Sequence, residues 1–293
     1  MRDDTIRHAG GELEAGERVL LIDSKQRSYL VRLVPGGSFQ THAGVVDHDA
    51  LIGLPEGSEV LARRREGAPA GPARRLLVLR PTLADLVVKM PRGAQVIYPK
   101  DLAAIVMAAD LYPGARVLEA GVGSGALSMA ALRAGCEVIG YELREDFASR
   151  ARANVVALLG DDARYTVFER DVYEGIDEVG LDRILLDLPE PWRVVPHALG
   201  ALRPGGILCA YLPTINQSAE LRYALDRPGF ARCETFEILR RSWHIEGRSV
   251  RPDHRMVAHT GFLTTARRVL PAARDEVDRA PGDATERSAD AAD

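Results

Sequence analysis

The stretch VLEAGVGSGALSMAALRAG places Gly121, Gly123 and Gly125 at alternate positions between an apolar run and a helical pattern. Glycines so spaced let backbone amides approach a ligand, and the start of the next helix adds positive potential. Val122 and Ser124 fill the positions between them, and Glu119 lies just upstream, where a carboxylate can face an ammonium group. Glu142 closes the next apolar run, EVIGYE, and an acid there can accept from both hydroxyls of a ribose. Asp171, in FERDVYEG, ends a third run, where it can receive an amino group. Asp187 ends a fourth, LLDLPEPW. Its prolines fix φ and pre-set the carboxylate, which is complementary to positive charge that develops on a bound group. Trp192 either packs or stacks on a base, the latter an effect of about 1–3 kcal/mol. The glycines alone leave the ligand open. Counted from Gly121, Ala126 supplies the third small position of a dinucleotide loop, and Glu142 suits either ligand. A nicotinamide oxidoreductase would also need a hydride-transfer constellation, and none stands beside Asp187.

These residues need a frame to converge. From residue 98 onward strand and helix signals alternate: RVLEA, a helix over 126–135, EVIGYE, a helix over 145–159, then ARYTVFERDV, DRILLDLP and GGILCAYLPT with helices near 193–202 and 217–226. On the helix over 145–159, Phe147, Ala151, Val155 and Leu158 mark one face. Alternating βα units predict a parallel sheet wound on both faces. Two last strands, around 231–245 and 257–269, have no helix between them and predict an antiparallel edge. Residues 17–80 differ in texture, with short alternating runs separated by DSKQ, PGGS and GLPEG. REGAPAGPARR, 65–75, reads as a loop. The expected organisation is a small β-rich domain over 1–80, an α/β catalytic domain over 81–270 and a disordered acidic tail over 271–293.

The 293 residues are 46% hydrophobic and 27% charged, ordinary for a globular chain. No apolar run is long enough for a membrane span, and the charged N-terminus lacks the apolar core of a signal peptide. Cys136, Cys209 and Cys233 are odd in number and read as reduced thiols of a cytoplasmic protein. The tail holds seven acids against three arginines, which accounts for the whole net charge of −4. A neutral remainder leaves room for a local basic groove, and its cations are almost all arginine, the better phosphate fork.

The glycine loop with Glu119 resembles motif I of the class I S-adenosylmethionine (SAM) methyltransferases. Further stretches narrow the resemblance. FQTHAGVVDHDALIG (39–53), AQVIYPKD (94–101), VLEAGVGSGALS, LLDLPEPW and RSWHIEGRSVRPDHRMVAHTGFL (241–263) occur in the order found in the tRNA adenine-58 N1-methyltransferases of bacterial and archaeal type. The resemblance covers residues 39–263. It implies a Rossmann-like class I methyltransferase fold, transfer of a methyl group from SAM to N1 of adenosine 58 in the T-loop of tRNA, and a homotetramer. It places Gln95, Glu119, Gly121, Val122, Gly123, Ser124, Gly125, Glu142, Phe147, Asp171, Val172 and Asp187 around SAM, makes Asp187 the catalytic candidate, and sets Tyr98 near the target base. The base must be extruded to expose N1. Phosphate contacts that offset this are expected from Arg240, Arg241, Arg248, Arg251 and Arg255, then from Arg63 to Arg65, in a groove that a neighbouring subunit makes or completes. His42 and His48 are expected to be structural and no metal is expected. Competing readings are a SAM enzyme acting on another RNA or a small amine, and a non-catalytic tRNA-binding subunit. The latter would lack the glycine loop and the acid, and this chain keeps both.

Overall fold

The computed structural model describes residues 11–42, 44–64, 74–90, 93, 95–161 and 164–270. The expected tail over 271–293, Arg65 and most of the expected loop over 65–75 lie outside these. Strands β1 (Arg18–Asp23), β2 (Ser28–Arg32), β3 (Ser38–Thr41), β4 (Gly44–Asp47), β5 (Glu59–Ala62) and β6 (Arg74–Leu79) build the N-terminal region. An antiparallel sheet of order β2-β1-β6-β5 and the β3-β4 hairpin enclose a core of Leu13, Val19, Leu21, Val31, Leu33, Val46, Leu51, Leu76 and Val78. The β1–β2 turn is tied by Asp23, whose carboxylate accepts from the amides of Lys25 and Arg27 at 2.9 and 3.0 Å. His48 is buried, and its Nδ1 accepts the Val34 amide at 3.0 Å, a structural bond as expected. The His42 ring lies 6.5 Å from that of Tyr29.

The rest of the chain supplies α1 (Leu83–Lys89), α2 (Pro99–Ala108), β7 (Arg116–Ala120), α3 (Ala126–Arg133), β8 (Glu137–Glu142), α4 (Glu145–Leu159), β9 (Tyr165–Glu169), β10 (Leu181–Leu186), α5 (Val195–Ala201), β11 (Leu202–Leu212), α6 (Ile215–Leu225), β12 (Phe230–Glu237), β13 (Trp243–Glu246), β14 (Ser249–Pro252) and β15 (Phe262–Arg268). The main sheet runs β12-β15-β11-β10-β7-β8-β9. Its strands bury both faces. Val117, Val138, Leu185 and Cys209 meet α1, α2 and α3 in one core. Leu118, Ala120, Ile184, Leu186, Leu208 and Ala210 meet α5 and α6 in the other. This is the doubly wound sheet that alternating βα units demand. Cys136 and Cys209 are buried free thiols and Cys233 a half-buried one.

Four details differ from the expectations. The antiparallel strand is β15, and it lies one place in from the edge, paired with both β11 and β12. The strand expected to reach residue 245 stops at Glu237, where its pairing with Phe262 ends, and β13 and β14 form a separate antiparallel hairpin. On α4 the buried stripe is Ala148, Ala151, Asn154 and Val155, with Phe147 and Leu158 half-buried beside it. Helix α1 was not expected. Its start was legible as Thr82 and Asp85, which form a reciprocal capping box.

Candidate active site

Strands β10 and β7 are parallel neighbours in register, with Leu186 opposite Ala120. The residues that follow each strand, Asp187 and Gly121, therefore emerge side by side. The Asp187 amide donates to the Ala120 carbonyl at 3.0 Å. A Cβ on Gly121 would lie 2.2 Å from the Asp187 carbonyl oxygen, and its φ is +83°. Only glycine fits there, so the glycine loop and the LLDLPEPW acid are one construction. Gly125, at φ +83°, caps α3, and a Cβ there would lie 3.3 Å from the Ala151 backbone on α4. A Cβ on Gly123 would meet nothing within 4 Å, which leaves this part of the loop open to a ligand.

The Glu142 carboxylate accepts the amides of Gly123 at 2.9 Å and Arg144 at 3.0 Å, so it braces the loop from the tip of β8. Asn154 of α4 donates to the Ser124 carbonyl at 3.0 Å. Val122 packs on Ala148, Ala151 and Val167. Glu119 is fully buried. Its Oε2 accepts from the Ser128 hydroxyl at 2.5 Å, Ser128 lies 3.1 Å from the Tyr165 hydroxyl, and its Oε1 has no partner among the described residues. Burial pushes the Glu119 carboxyl up to about 8, against the Ser128 bond and with added repulsion from Asp187 and Glu142. Asp187 is pushed up to about 7 by loss of water and by Glu142. The Glu142 charge thus adds to the cost of ionising Asp187, and both add to that of Glu119. A cationic ligand relieves that cost, and the open loop and the unpartnered Glu119 oxygen fit a cofactor carrying an ammonium and a sulfonium.

Around this centre, Asp171 and buried Val172 follow β9, and the Asp171 carboxylate accepts the Tyr173 amide at 2.8 Å. Phe147 lies in the first turn of α4 with the Arg144 guanidinium 3.8 Å above its ring. A Cβ on Gly93 would lie 2.8 Å from the Phe147 ring, so the segment entering α2 crosses it. Gln95 on that segment is exposed, and half-buried Tyr98 caps α2. Tyr211 was not anticipated. It sits on β11 beside Asp187, one step past the Leu186–Ala210 pair. Its hydroxyl donates to the Thr260 carbonyl at 2.7 Å, and burial pushes it up to about 12, with Asp101, Asp187 and Tyr98 adding. Strand register was the signal that could have found it.

Other expected residues lie elsewhere. Trp192 lines a groove between α5 and α6 with Val195, Leu199, Tyr223 and Phe230, and it packs on the core there. Arg248 stands at the tip of the β13–β14 hairpin and Arg251 on β14, both exposed, as are Arg240, Arg241 and Arg255. Arg63 pairs with Asp47. The hairpin also exposes Trp243, Ile245 and Val250.

Comparison with known proteins agrees with this arrangement. Residues 75–254 match the family described as tRNA methyltransferase complex GCD14 subunit, and residues 11–60 match the TrmI-like N-terminal family. The tRNA (adenine(58)-N(1))-methyltransferase TrmI of Thermus thermophilus is 38% identical, covering 85% of this chain and 96% of that protein. The tRNA (adenine(57)-N(1)/adenine(58)-N(1))-methyltransferase TrmI of Methanocaldococcus jannaschii is 33% identical, covering 85% and 94%. The crystal structure of tRNA (m1A58) methyltransferase TrmI from Aquifex aeolicus superposes with a TM-score of 0.76 at 30% identity over 88% of this chain and 99% of that one. A SAM-dependent O-methyltransferase structure from Thermotoga maritima gives 0.81 at 34% identity over 89% and 96%. An acid-lined glycine loop at the tips of a doubly wound sheet, an N-terminal β-sheet, and matches that span both place this chain in the GCD14/TrmI family of tRNA methyltransferases.

Proposed function

We infer that this chain transfers a methyl group from SAM to N1 of adenosine 58 in tRNA. The observation that carries the reading is the contact of Gly121 with Asp187, which sets a carboxylate against the cofactor loop. SAM supplies a methyl group on a sulfonium. The residues assigned to hold it are Glu142 at the ribose, the Gly121 to Gly125 backbone, Glu119 and Asp187 near the ammonium, Asp171 and Val172 at the adenine, and Gln95 and Phe147 at the flank. Bound there, it would give that methyl group to the N1 lone pair of adenine and become neutral, so that the positive charge would pass to the base. No proton need leave N1, so Asp187 has no obligatory role as a base. Its carboxylate orients the exocyclic amino group and stabilises the charge that develops on the ring. Tyr98 and Tyr211 wall the base site. Arg248 and Arg251, with Arg240, Arg241 and Arg255, hold phosphates.

The proposed assembly is a homotetramer in the cytoplasm. Among the described residues no helix is long and apolar enough to cross a membrane. The boundary between the N-terminal β-domain and the catalytic domain is proposed near residue 80. The test is methyl transfer from labelled SAM to unmodified tRNA with nucleoside mapping, for wild type and Asp187→Ala. The expected result is 1-methyladenosine at position 58 from wild type and near-loss in the variant. A wild type that binds SAM and leaves tRNA unmethylated overturns the acceptor.

A further inference from the structure

The segment YPKD before and within the first turn of α2 holds one of only three lysines in a chain with 35 arginines. The Lys100 ammonium is buried. It lies 2.7 Å from Asp101 Oδ1, 2.6 Å from the Ile238 carbonyl and 2.6 Å from Thr260 Oγ1, so each of its three donors has an acceptor. The Thr260 hydroxyl donates in turn to Asp101 Oδ2 at 2.6 Å. A planar guanidinium cannot converge on three acceptors around one atom, which accounts for lysine here.

The acceptors are far from Lys100 in sequence and close to one another in function. Ile238 and Thr260 are the two feet of the excursion that leaves the sheet after β12 and returns at β15. Between them stand Arg240, Arg241, Arg248, Arg251 and Arg255. Thr260 also reaches the crevice, because its carbonyl accepts from Tyr211, beside Asp187. A Cβ on Gly261 would lie 2.4 Å from the Tyr211 ring, so the returning foot lies flat on that side chain. The same first turn of α2 fixes Tyr98, whose carbonyl accepts the Asp101 amide at 2.9 Å.

We propose that Lys100, Asp101 and Thr260 form a clamp that positions the arginine-bearing excursion against the methyl-transfer crevice, so that RNA held by the hairpin meets Asp187 in one register. The proposal rests on the tRNA reading above. Buried ion pairs add little net stability over apolar packing, and fixing one geometry is their better-attested use. These are positioning residues, since none of them touches the reacting atoms.

The test compares Thr260→Val, which is nearly isosteric, with Thr260→Ser, which keeps the hydroxyl. Amide exchange of residues 243–252 is measured on the protein alone, together with KM and kcat on tRNA and the SAM Kd. The expected result for Thr260→Val is faster exchange across the hairpin by about tenfold, a KM for tRNA raised by about tenfold, and a SAM Kd within about twofold of wild type. Thr260→Ser restores both readouts. In the Thr260→Val background Arg248→Ala raises KM less than it does in wild type, because the two act through one geometry. Unchanged exchange, an additive Arg248 effect, or a SAM Kd that rises in step with KM overturns the clamp. If Thr260→Val does not fold, Lys100→Met with Asp101→Asn removes both charges together and carries the same readouts. Failure of wild type to methylate tRNA breaks the functional reading instead, and the exchange comparison then decides the clamp alone.

Discussion

The crevice and the excursion are held in place by different means. In the crevice, backbone register does the positioning. Asp187 and Gly121 stand together because Leu186 pairs with Ala120, and the strands on both sides are buried. The excursion is fixed at its feet mainly by side chains, Lys100, Thr260 and His259, beside one backbone bridge between Arg240 and Val257, and the hairpin between them exposes Trp243, Ile245 and Val250. A register-fixed site tolerates almost no change of shape. A side-chain-fixed loop tolerates change at its tip and responds to change at its base.

The largest effect that sharpens this contrast is at Asp187. Asp187→Ala should lower single-turnover methyl transfer by about 10²–10³-fold, the loss typical of a removed charge-stabilising group. Asp187→Asn keeps an acceptor for the exocyclic amino group and loses the charge, so it should fall between. Equal rates for the two variants would assign the whole effect to charge. The next contrast sets two left-handed glycines against each other. Gly121→Ala meets the Asp187 carbonyl and must move it, at a cost of about 1–3 kcal/mol. Gly247, at φ +55° in the hairpin turn, has nothing within 4 Å. Gly247→Ala should lower the unfolding midpoint slightly and leave kcat unchanged. A matching fall in kcat would break the distinction between the two regions.

The same difference explains what could be read from the sequence. The crevice was legible because its parts are contiguous: three glycines, an acid at each strand tip, and the order of strands and helices. Tyr211 was missed because only the pairing of β11 with β10 brings it to Asp187, and AYLP carries no local sign of that. Asn154 was missed in the same way, a polar residue on the buried stripe of α4 that bonds the loop. The excursion was misread as a continuing strand because SWHIE alternates as a strand does. What decides it is the loss of a pairing partner after Glu237, together with the turn EGRS, where Gly247 supplies the positive φ a two-residue hairpin loop needs. The clamp joins residues 138 and 160 positions apart, and no local pattern reveals such a bond. Trp192 was ambiguous from the start, and its seat between α5 and α6 shows why: a large ring beside a core is accounted for by packing alone.

The acids of the crevice also set a pH dependence. Asp187 is held up at about 7 and Glu119 at about 8 in the cofactor-free fold, well above their unfolded values. As pH rises above about 4 the unfolded chain loses these protons first, while the folded chain keeps them. The folded state then binds more protons, so stability falls with rising pH until the folded groups ionise near 7 to 8. Cofactor-free protein should therefore unfold at a lower temperature at pH 8 than at pH 5.5, and Asp187→Asn should flatten part of that slope. Activity should move the other way. The ionised carboxylate is the useful form, so kcat/KM should rise through about 7, whereas kcat should be flatter because the bound cation lowers the same pKa. A rise with pH in wild-type stability would remove the buried acids from the account.

The smallest effect belongs to the hairpin arginines. Arg248 stands at the turn and Arg251 on β14, both exposed, and neither touches the crevice. Arg248→Ala and Arg251→Ala should leave the SAM Kd and the folded stability unchanged, since surface substitutions away from packed features stay within about 0.5 kcal/mol. Each should weaken tRNA binding modestly. The sharper readout is salt. A lost phosphate contact lowers the slope of log K against log salt by about 0.7–0.9. Replacing both residues should therefore flatten that slope by nearly twice as much, without changing which adenosine is methylated. An unchanged slope would leave the excursion without its RNA-binding role. A flatter slope with a fall in kcat at saturating tRNA would mean that the tip, as well as the base, sets the register at Asp187.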